Sequence, residues 1–157
     1  MEQKSLTALI SAFSRAYHAL NNEVTIFNDS LARDLLTDEE FNQIAKNMSN
    51  GIGFFNPSFV GEPEQALRWV VDNQLSPSPL GRAAFAEKSL EWAVRTGTEQ
   101  YLIWGAGYDT FAYRQPLWAK ALQIFEVDHP ATARDKQERL KSAGIVIPDN
   151  VHYIEAD

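Results

Sequence analysis

The sequence of 157 residues contains no cysteine. That absence excludes a disulfide framework and a thiolate metal site, and it is compatible with a reducing compartment. The three histidines, His18, His129 and His152, are scattered and lack the spacing of a metal site. We therefore expect neither disulfide bonds nor a bound metal in this protein.

Positive charge and long apolar stretches are also scarce. Fourteen Lys and Arg residues stand against 21 Asp and Glu residues, a formal net charge of −7, and the basic residues form no cluster. Since nucleic-acid phosphates are bound by clustered basic side chains, this composition disfavours a nucleic-acid partner. No segment reaches the length of a membrane span, and the N-terminus lacks a basic region followed by a long apolar one. We expect a globular, cytoplasmic protein with no membrane segment.

The first hundred residues have the pattern of amphipathic helices. The first helix is indicated by apolar residues three and four positions apart: Leu6, Leu9, Ile10, Phe13, Ala16, Tyr17 and Leu20. Thr37 and Glu40 form a capping-box pattern at the start of another helix. A third helix is predicted to begin at "EPEQ", and a fourth to end at Gly97, with "SPSPL" as a loop between them.

After Gly97 the pattern changes to short apolar runs bounded by turn residues. Three of these runs predict buried strands: "QYLIW", "LQIFEVD" and "VHYIEAD". Between the second and third runs, Pro130 suits the first turn of a helix and Gly144 its end. Strand, connector, strand, helix and strand in this order are typical of a parallel α/β sheet. The sequence thus predicts a helical region over 1–97 and a sheet region over 98–157.

Two glycines and two acidic residues mark a candidate ligand site. Gly105 and Gly107 directly follow the first predicted strand, and Glu126 and Asp128 end the second. In an open α/β sheet, ligands bind beyond the carboxyl ends of the strands, and an acidic residue about twenty positions after the glycines can bind ribose hydroxyls. A ligand that carries adenosine is one interpretation. The other is a glycine turn that ends the strand for structural reasons only.

Two nucleoside cofactors compete for this pattern. A dinucleotide fingerprint has a third glycine, but this sequence has Thr110 at that position, which counts against NAD. S-adenosylmethionine carries no pyrophosphate, so the tight turn and the acidic residue suffice for it. An NAD-linked oxidoreductase remains the alternative function, and a cofactor-binding module without turnover is a third.

The segment "QYLIWGAGYDTFAYR", followed by "FEVDHPATARDKQERL", resembles the leucine carboxyl methyltransferase family, whose bacterial members include O-methyltransferases. The helical start, "SLTALISAFSRAYH" with "IFNDSLARDLL", is similar to bacterial members as well. The resemblance implies an α/β fold in which an N-terminal helical cap precedes the first half of a Rossmann-like class I methyltransferase sheet. It also implies S-adenosylmethionine-dependent methylation of a carboxylate or hydroxyl on a small molecule.

For the cofactor site, the resemblance implies that Gly105 and Gly107 let the backbone pass under the methionine portion. Asp128 would bind the ribose hydroxyls, with Glu126 as the neighbouring alternative, and Asp157 would lie against the adenine amino group. Asp128 has a second interpretation, as the N-cap of the helix that begins at Pro130.

Two arginines complete the set that the resemblance implies. Arg82 would pair with the carboxylate of the cofactor, since a guanidinium binds a carboxylate in a bidentate fork. Arg15 would match a basic residue near the family's N-terminal cap. For Asp109 and Thr110 we expect a structural role in the turn. A carboxylate acceptor requires no general base at neutral pH, whereas a hydroxyl acceptor requires one, and the sequence identifies no residue for that role, so no catalytic residue is assigned.

Members of the resembled family are longer, and this sequence ends after its third predicted strand. We therefore expect a truncated chain that is inactive alone and whose first strand lies at an edge of the sheet. An apolar edge strand without lysine or proline favours pairing with another chain, so we expect a homo-oligomer formed through this edge.

Overall fold

The computed structural model describes residues 5–23 and 26–156. The helical region contains α1 (Leu6–Asn21), α2 (Leu31–Asp34), α3 (Asp38–Asn50), α4 (Ile52–Phe55), α5 (Pro63–Val70) and α6 (Pro77–Arg95), with a π-helical stretch, Val71–Leu75, between the last two. The sheet region contains β1 (Gln100–Trp104), β2 (Gln123–Asp128), α7 (Pro130–Ser142) and β3 (Val151–Glu155). Two 3₁₀ turns, Phe111–Tyr113 and Leu117–Ala119, lie between β1 and β2.

The three strands form a parallel sheet in the order β1-β2-β3, so the predicted α/β fold is confirmed. Ile103 is aligned with Glu126 of β2, and Glu126 in turn with Tyr153 of β3. Among the described strands β1 lies at an edge, as expected. Its residues Leu102 and Trp104 are 51% and 77% exposed.

Local sequence signals set several helix ends. Thr37 Oγ1 accepts a hydrogen bond from the backbone N–H of Glu40 at 3.1 Å, and the Glu40 carboxylate accepts one from the Thr37 N–H at 3.0 Å. This reciprocal pair is the predicted capping box. Gly97 and Gly144 follow the ends of α6 and α7 with φ values of +103° and +69°, a left-handed conformation that glycine adopts without strain.

The prediction of a loop at "SPSPL" was wrong. Residues 77–80 form the first turn of α6, with Pro77 at its first position. Proline is tolerated there because the first backbone N–H groups of a helix have no intrahelical partner and the ring fixes a helical φ. The π-helical stretch before Ser76 continues directly into this turn.

The helical and sheet regions share a core. Phe13 and Tyr17 of α1 pack in one buried cluster with Tyr108, from the turn after β1, and with Leu140 of α7. A second cluster lies against one face of the sheet, where Ile124 of β2 packs with other buried apolar residues. The first cluster holds α1 beside the end of β1, where the candidate site lies.

Candidate functional site

A cavity of 460 Å³ opens at the carboxyl end of β1. Its walls come from α1, from α6, from the end of β1 with the following turn, and from Asp128 at the end of β2. This is the edge of the parallel sheet at which the sequence predicts a ligand. Of the predicted site residues, the cavity brings together Arg15, Arg82, Gly105, Gly107 and Asp128.

The glycine turn crosses the cavity with both glycines in the left-handed region. Gly105 has a φ of +69° and Gly107 a φ of +49°. A Cβ atom at Gly105 would have no heavy atom of the described chain within 4 Å, whereas one at Gly107 would lie 3.1 Å from the Cβ of Ala8. Gly107 therefore permits the close approach of α1, and Gly105 leaves space open beside the backbone.

Asp128 links the end of β2 to the glycine turn. Its Oδ2 accepts a hydrogen bond from the Gly107 N–H at 2.5 Å, and its Oδ1 accepts one from the His129 N–H at 2.7 Å. The N-cap interpretation of Asp128 was wrong, because His129 caps α7 by accepting the Ala131 N–H on Nδ1 at 3.1 Å. The carboxylate of Asp128 instead stabilises the turn and lines the cavity.

Glu126 lies on the same strand as Asp128 but outside the cavity lining. Its side chain is 2% exposed and accepts hydrogen bonds on Oε2 from Lys136 Nζ at 2.7 Å and from the Tyr113 hydroxyl at 2.8 Å. The Tyr113 hydroxyl also lies 2.8 Å from that of Tyr153. We call these four residues the Glu126 cluster. Burial raises the pKa of Glu126, and the charge of Lys136 opposes that shift.

The two arginines of the cavity differ in their surroundings. Arg82 is exposed on α6 and makes no hydrogen bond or ion pair with any residue in the described ranges. Arg15 is buried and donates from Nε to Asp29 at 2.8 Å, from Nη2 to the Tyr108 carbonyl at 2.7 Å, and from Nη1 to Ser11 at 3.3 Å. The Arg82 guanidinium is thus available to a ligand, whereas that of Arg15 is held in place.

The residues after the second glycine have structural partners. Asp109 lines the cavity and accepts the Phe111 N–H on Oδ1 at 2.8 Å. Thr110 is buried and donates from Oγ1 to Asp29 at 2.6 Å. The chain then enters the 3₁₀ turn Phe111–Tyr113, so no α-helix begins at this end of β1.

Sequence reasoning missed Asp29. Its carboxylate accepts hydrogen bonds from Arg15 and from Thr110, and Thr110 lies 81 positions further along the chain. No local pattern around Asp29 pointed to this role. Asp157, predicted to lie against adenine, falls outside the described residues. Across residues 5–23 and 26–156, no group of three or more His, Asp or Glu side chains is placed to hold a metal ion. None of the helices in those ranges is long and apolar enough to cross a membrane.

Comparison with known proteins supports the family that the sequence resembles. Residues 8–157 match the leucine carboxyl methyltransferase family. A Bacillus subtilis (strain 168) protein, YktD, named provisionally as an S-adenosyl-L-methionine-dependent methyltransferase, is 46% identical over 99% of this chain and 52% of its own length. Rv3399 of Mycobacterium tuberculosis (strain ATCC 25618 / H37Rv), named in the same way, is 29% identical over 96% of this chain and 40% of its own length. The chain spans about half the length of the curated relatives that it matches.

Proposed function

The chain belongs to the leucine carboxyl methyltransferase family, and from this premise we propose that its cavity binds S-adenosylmethionine for methyl transfer. The observation that carries the proposal is the pairing of Asp128 with the Gly107 N–H in the lining of a cavity that also contains Arg82, which has no partner among the described residues. The names of the relatives, which refer to the same cofactor, support it.

The residues present fit the chemistry of the cofactor. Open space beside Gly105 admits a ligand close to the backbone, where a side chain would intrude. Each carboxylate oxygen of Asp128 can accept more than the one hydrogen bond that it makes, so it can also bind ribose hydroxyls. Arg82 would bind the carboxylate of the cofactor in a bidentate fork.

The turn fits a dinucleotide less well. A pyrophosphate is bound at the N-terminus of a helix that follows the glycine loop, with a third glycine for close packing. Here Thr110 occupies that position and a 3₁₀ turn follows. These features favour S-adenosylmethionine over NAD, which remains the second candidate because the acidic residue at the end of β2 serves both.

When bound, the sulfonium cofactor supplies an activated methyl group. The chain's own residues would bind and orient it: the glycine turn under the methionine portion, Asp128 at the ribose and Arg82 at the carboxylate. We propose that the acceptor is a carboxylate or hydroxyl oxygen of a small molecule. The helical region 1–97 would act as a cap over the sheet region 98–157 and exclude water from the cofactor.

Calorimetric titration with S-adenosylhomocysteine and with NAD tests the cofactor. We expect the first to bind and the second not to bind. Arg82→Ala should weaken binding of S-adenosylmethionine by about 1.5–3 kcal/mol, as for a hydrogen bond between charged groups. Lys88→Ala, which removes another exposed cation from α6, is the matched control. Equal affinities of the two variants would refute the role of Arg82.

We also propose that the chain self-associates through the β1 edge, where Leu102 is half exposed. An edge strand presents unpaired backbone groups, and a lysine blunts such an edge. Light scattering should detect a dimer or larger assembly of the parent chain and a monomer of Leu102→Lys. A parent chain that stays monomeric at high concentration would contradict this.

A further inference from the structure

Asp29, between α1 and α2, is a fully buried carboxylate whose two oxygens are both engaged. Oδ1 accepts hydrogen bonds from Thr110 Oγ1 at 2.6 Å and from the Ala32 N–H at 3.2 Å. Oδ2 accepts one from Arg15 Nε at 2.8 Å. A single carboxylate thus joins α1 to the residues that follow the glycine turn.

The same carboxylate is linked to the third wall of the cavity. Arg114 lies with Nε 3.5 Å from Asp29 Oδ1 and donates to Thr110 Oγ1 at 2.8 Å. Its other nitrogens donate to the Glu87 carboxylate of α6, from Nη1 at 3.2 Å. We call Arg15, Asp29, Glu87, Thr110 and Arg114 the Asp29 cluster. It connects α1, α6 and the glycine turn, which are the three elements that form most of the cavity wall.

Charges in the Asp29 cluster balance, with two guanidiniums against two carboxylates. Burial raises the pKa of Glu87, and the bond to Arg114 opposes that shift. Arginine carries five N–H donors, and Arg15 gives three of them to Asp29, Tyr108 and Ser11. Two donors have no partner in residues 5–23 and 26–156, and the side chain lines the cavity, so they are available to an anionic group there.

We propose that Asp29 is a positioning residue that fixes the guanidinium of Arg15 against the glycine turn, so that Arg15 and Arg82 together receive the amino-acid carboxylate of the cofactor. This inference rests on the proposed function. Asp29 does not line the cavity, and it acts only through Arg15 and Thr110. Loss of its charge would weaken one of the three hydrogen bonds that orient the Arg15 guanidinium, and it would weaken the link between α1 and Thr110.

The test uses two ligands that share adenosine and differ in the amino-acid portion. S-adenosylhomocysteine contains the carboxylate and 5′-methylthioadenosine lacks it. Asp29→Asn should weaken binding of the first at least about tenfold and of the second less than about threefold, because only the first uses Arg15. Glu91→Gln, which changes a carboxylate paired with Arg95 on α6 and outside the cavity lining, is the control and should leave the ratio of the two affinities unchanged.

A milder change keeps the test valid if Asp29→Asn does not fold. Thr110→Val deletes the hydrogen bond to Asp29 and the one from Arg114, and it preserves both charges of the pair between Arg15 and Asp29. We expect it to reduce the preference for S-adenosylhomocysteine over 5′-methylthioadenosine by about threefold, because of the two bonds only the one to Asp29 supports Arg15, and we expect Thr110→Ser to restore the preference.

The outcomes separate the two claims. If the parent chain fails to bind S-adenosylhomocysteine, the proposed function is wrong. If the parent chain binds S-adenosylhomocysteine while Asp29→Asn lowers the affinities for both ligands equally or leaves both unchanged, Asp29 is a structural residue and the positioning role is wrong. An unchanged ratio in Thr110→Val, when Asp29→Asn does not fold, overturns the positioning role in the same way.

Discussion

The Asp29 cluster and the Glu126 cluster are built from the same chemistry, a buried carboxylate with a cation and hydroxyl groups, and they differ in where they lie. Asp29 has hydrogen bonds on both oxygens and connects the walls of the cavity. Glu126 Oε1 is buried without a hydrogen-bond partner in the described part of the chain, and none of the Glu126 cluster lines the cavity.

This difference shows why burial and charge alone do not identify a ligand site. Glu126 has a raised pKa and a specific cationic partner, two features that often mark functional residues. Its buried side chain is bonded to Lys136 and Tyr113 outside the cavity lining, which gives it a role in the core instead. Asp128, two positions later, reaches the cavity because β2 ends there.

The largest expected effect breaks the Glu126 cluster. Lys136→Met leaves the Glu126 carboxylate uncompensated, which should lower the free energy of unfolding by about 3–5 kcal/mol. Without Lys136, the pKa of Glu126 in the folded state should rise further above its value in the unfolded state. Ionisation of Glu126 at high pH then destabilises the folded state, so the loss of stability should be larger at pH 8 than at pH 5. Denaturant unfolding at both pH values measures this.

The double variant Lys136→Met with Glu126→Gln is the control for that prediction. It removes both charges, so most of the stability should return and the pH dependence should disappear. The ratio of affinities for S-adenosylhomocysteine and 5′-methylthioadenosine should stay that of the parent chain. A changed ratio would mean that the Glu126 cluster also contributes to the cavity.

The next effect concerns the acidic residue that does reach the cavity. Asp128→Ala removes the acceptor of the Gly107 N–H and the proposed ribose ligand, so binding of S-adenosylmethionine and S-adenosylhomocysteine should weaken alike, by about 1.5–3 kcal/mol. The exposed Asp149→Ala is the matched control. A lower melting temperature with both affinities preserved would give Asp128 a structural role only.

A pair of glycine variants compares the two sides of the turn that the Asp29 cluster holds. Gly105→Ala and Gly107→Ala should each lower the free energy of unfolding by about 1–2 kcal/mol, because alanine is strained at positive φ. Gly107→Ala should lower the free energy of unfolding further, since its Cβ would approach that of Ala8. Adding Ala8→Gly to Gly107→Ala should recover this excess. Thermal unfolding of the three variants gives the comparison.

The same pair differs in ligand binding. A Cβ at Gly105 would enter the open space beside the turn. Gly105→Ala should therefore reduce the binding free energy of S-adenosylhomocysteine by more than it reduces the free energy of unfolding. Equal ligand affinity in Gly105→Ala and the parent chain would remove the glycine turn from the proposed site.

The smallest effect tests an ion pair outside both clusters. Hydrogen bonds from Arg139 lower the pKa of Glu40 to about 2, which is below its usual value. Because the pKa of Glu40 is lower in the folded state than in the unfolded state, the ion pair stabilises the fold at pH values above the unfolded-state pKa. This stabilisation is lost as the pH falls towards 2, and it amounts to about 1 kcal/mol because the pair is partly exposed. Glu40→Gln should abolish this part of the acid sensitivity in urea titrations from pH 5 to pH 2.

Much of the fold could be predicted because its signals are local. The capping box at Thr37, the glycines after α6 and α7, and the short apolar runs of the strands each depend on neighbours a few positions away. The loop prediction at Pro77 failed because proline suits both a loop and the first turn of a helix. Nothing local to the sequence distinguishes these two settings.

By itself, the sequence determined the parallel α/β pattern, the glycine turn at the carboxyl end of β1 and the family resemblance, because each is a property of contiguous residues. The tertiary structure alone decided which acidic residue faces the cavity and which arginine is free to bind. Glu126 and Asp128 have the same spacing signal, and only the end of β2 separates them. Asp29 meets Thr110 only because α1 packs against the turn, and a contact across 81 positions leaves no local trace in a single sequence.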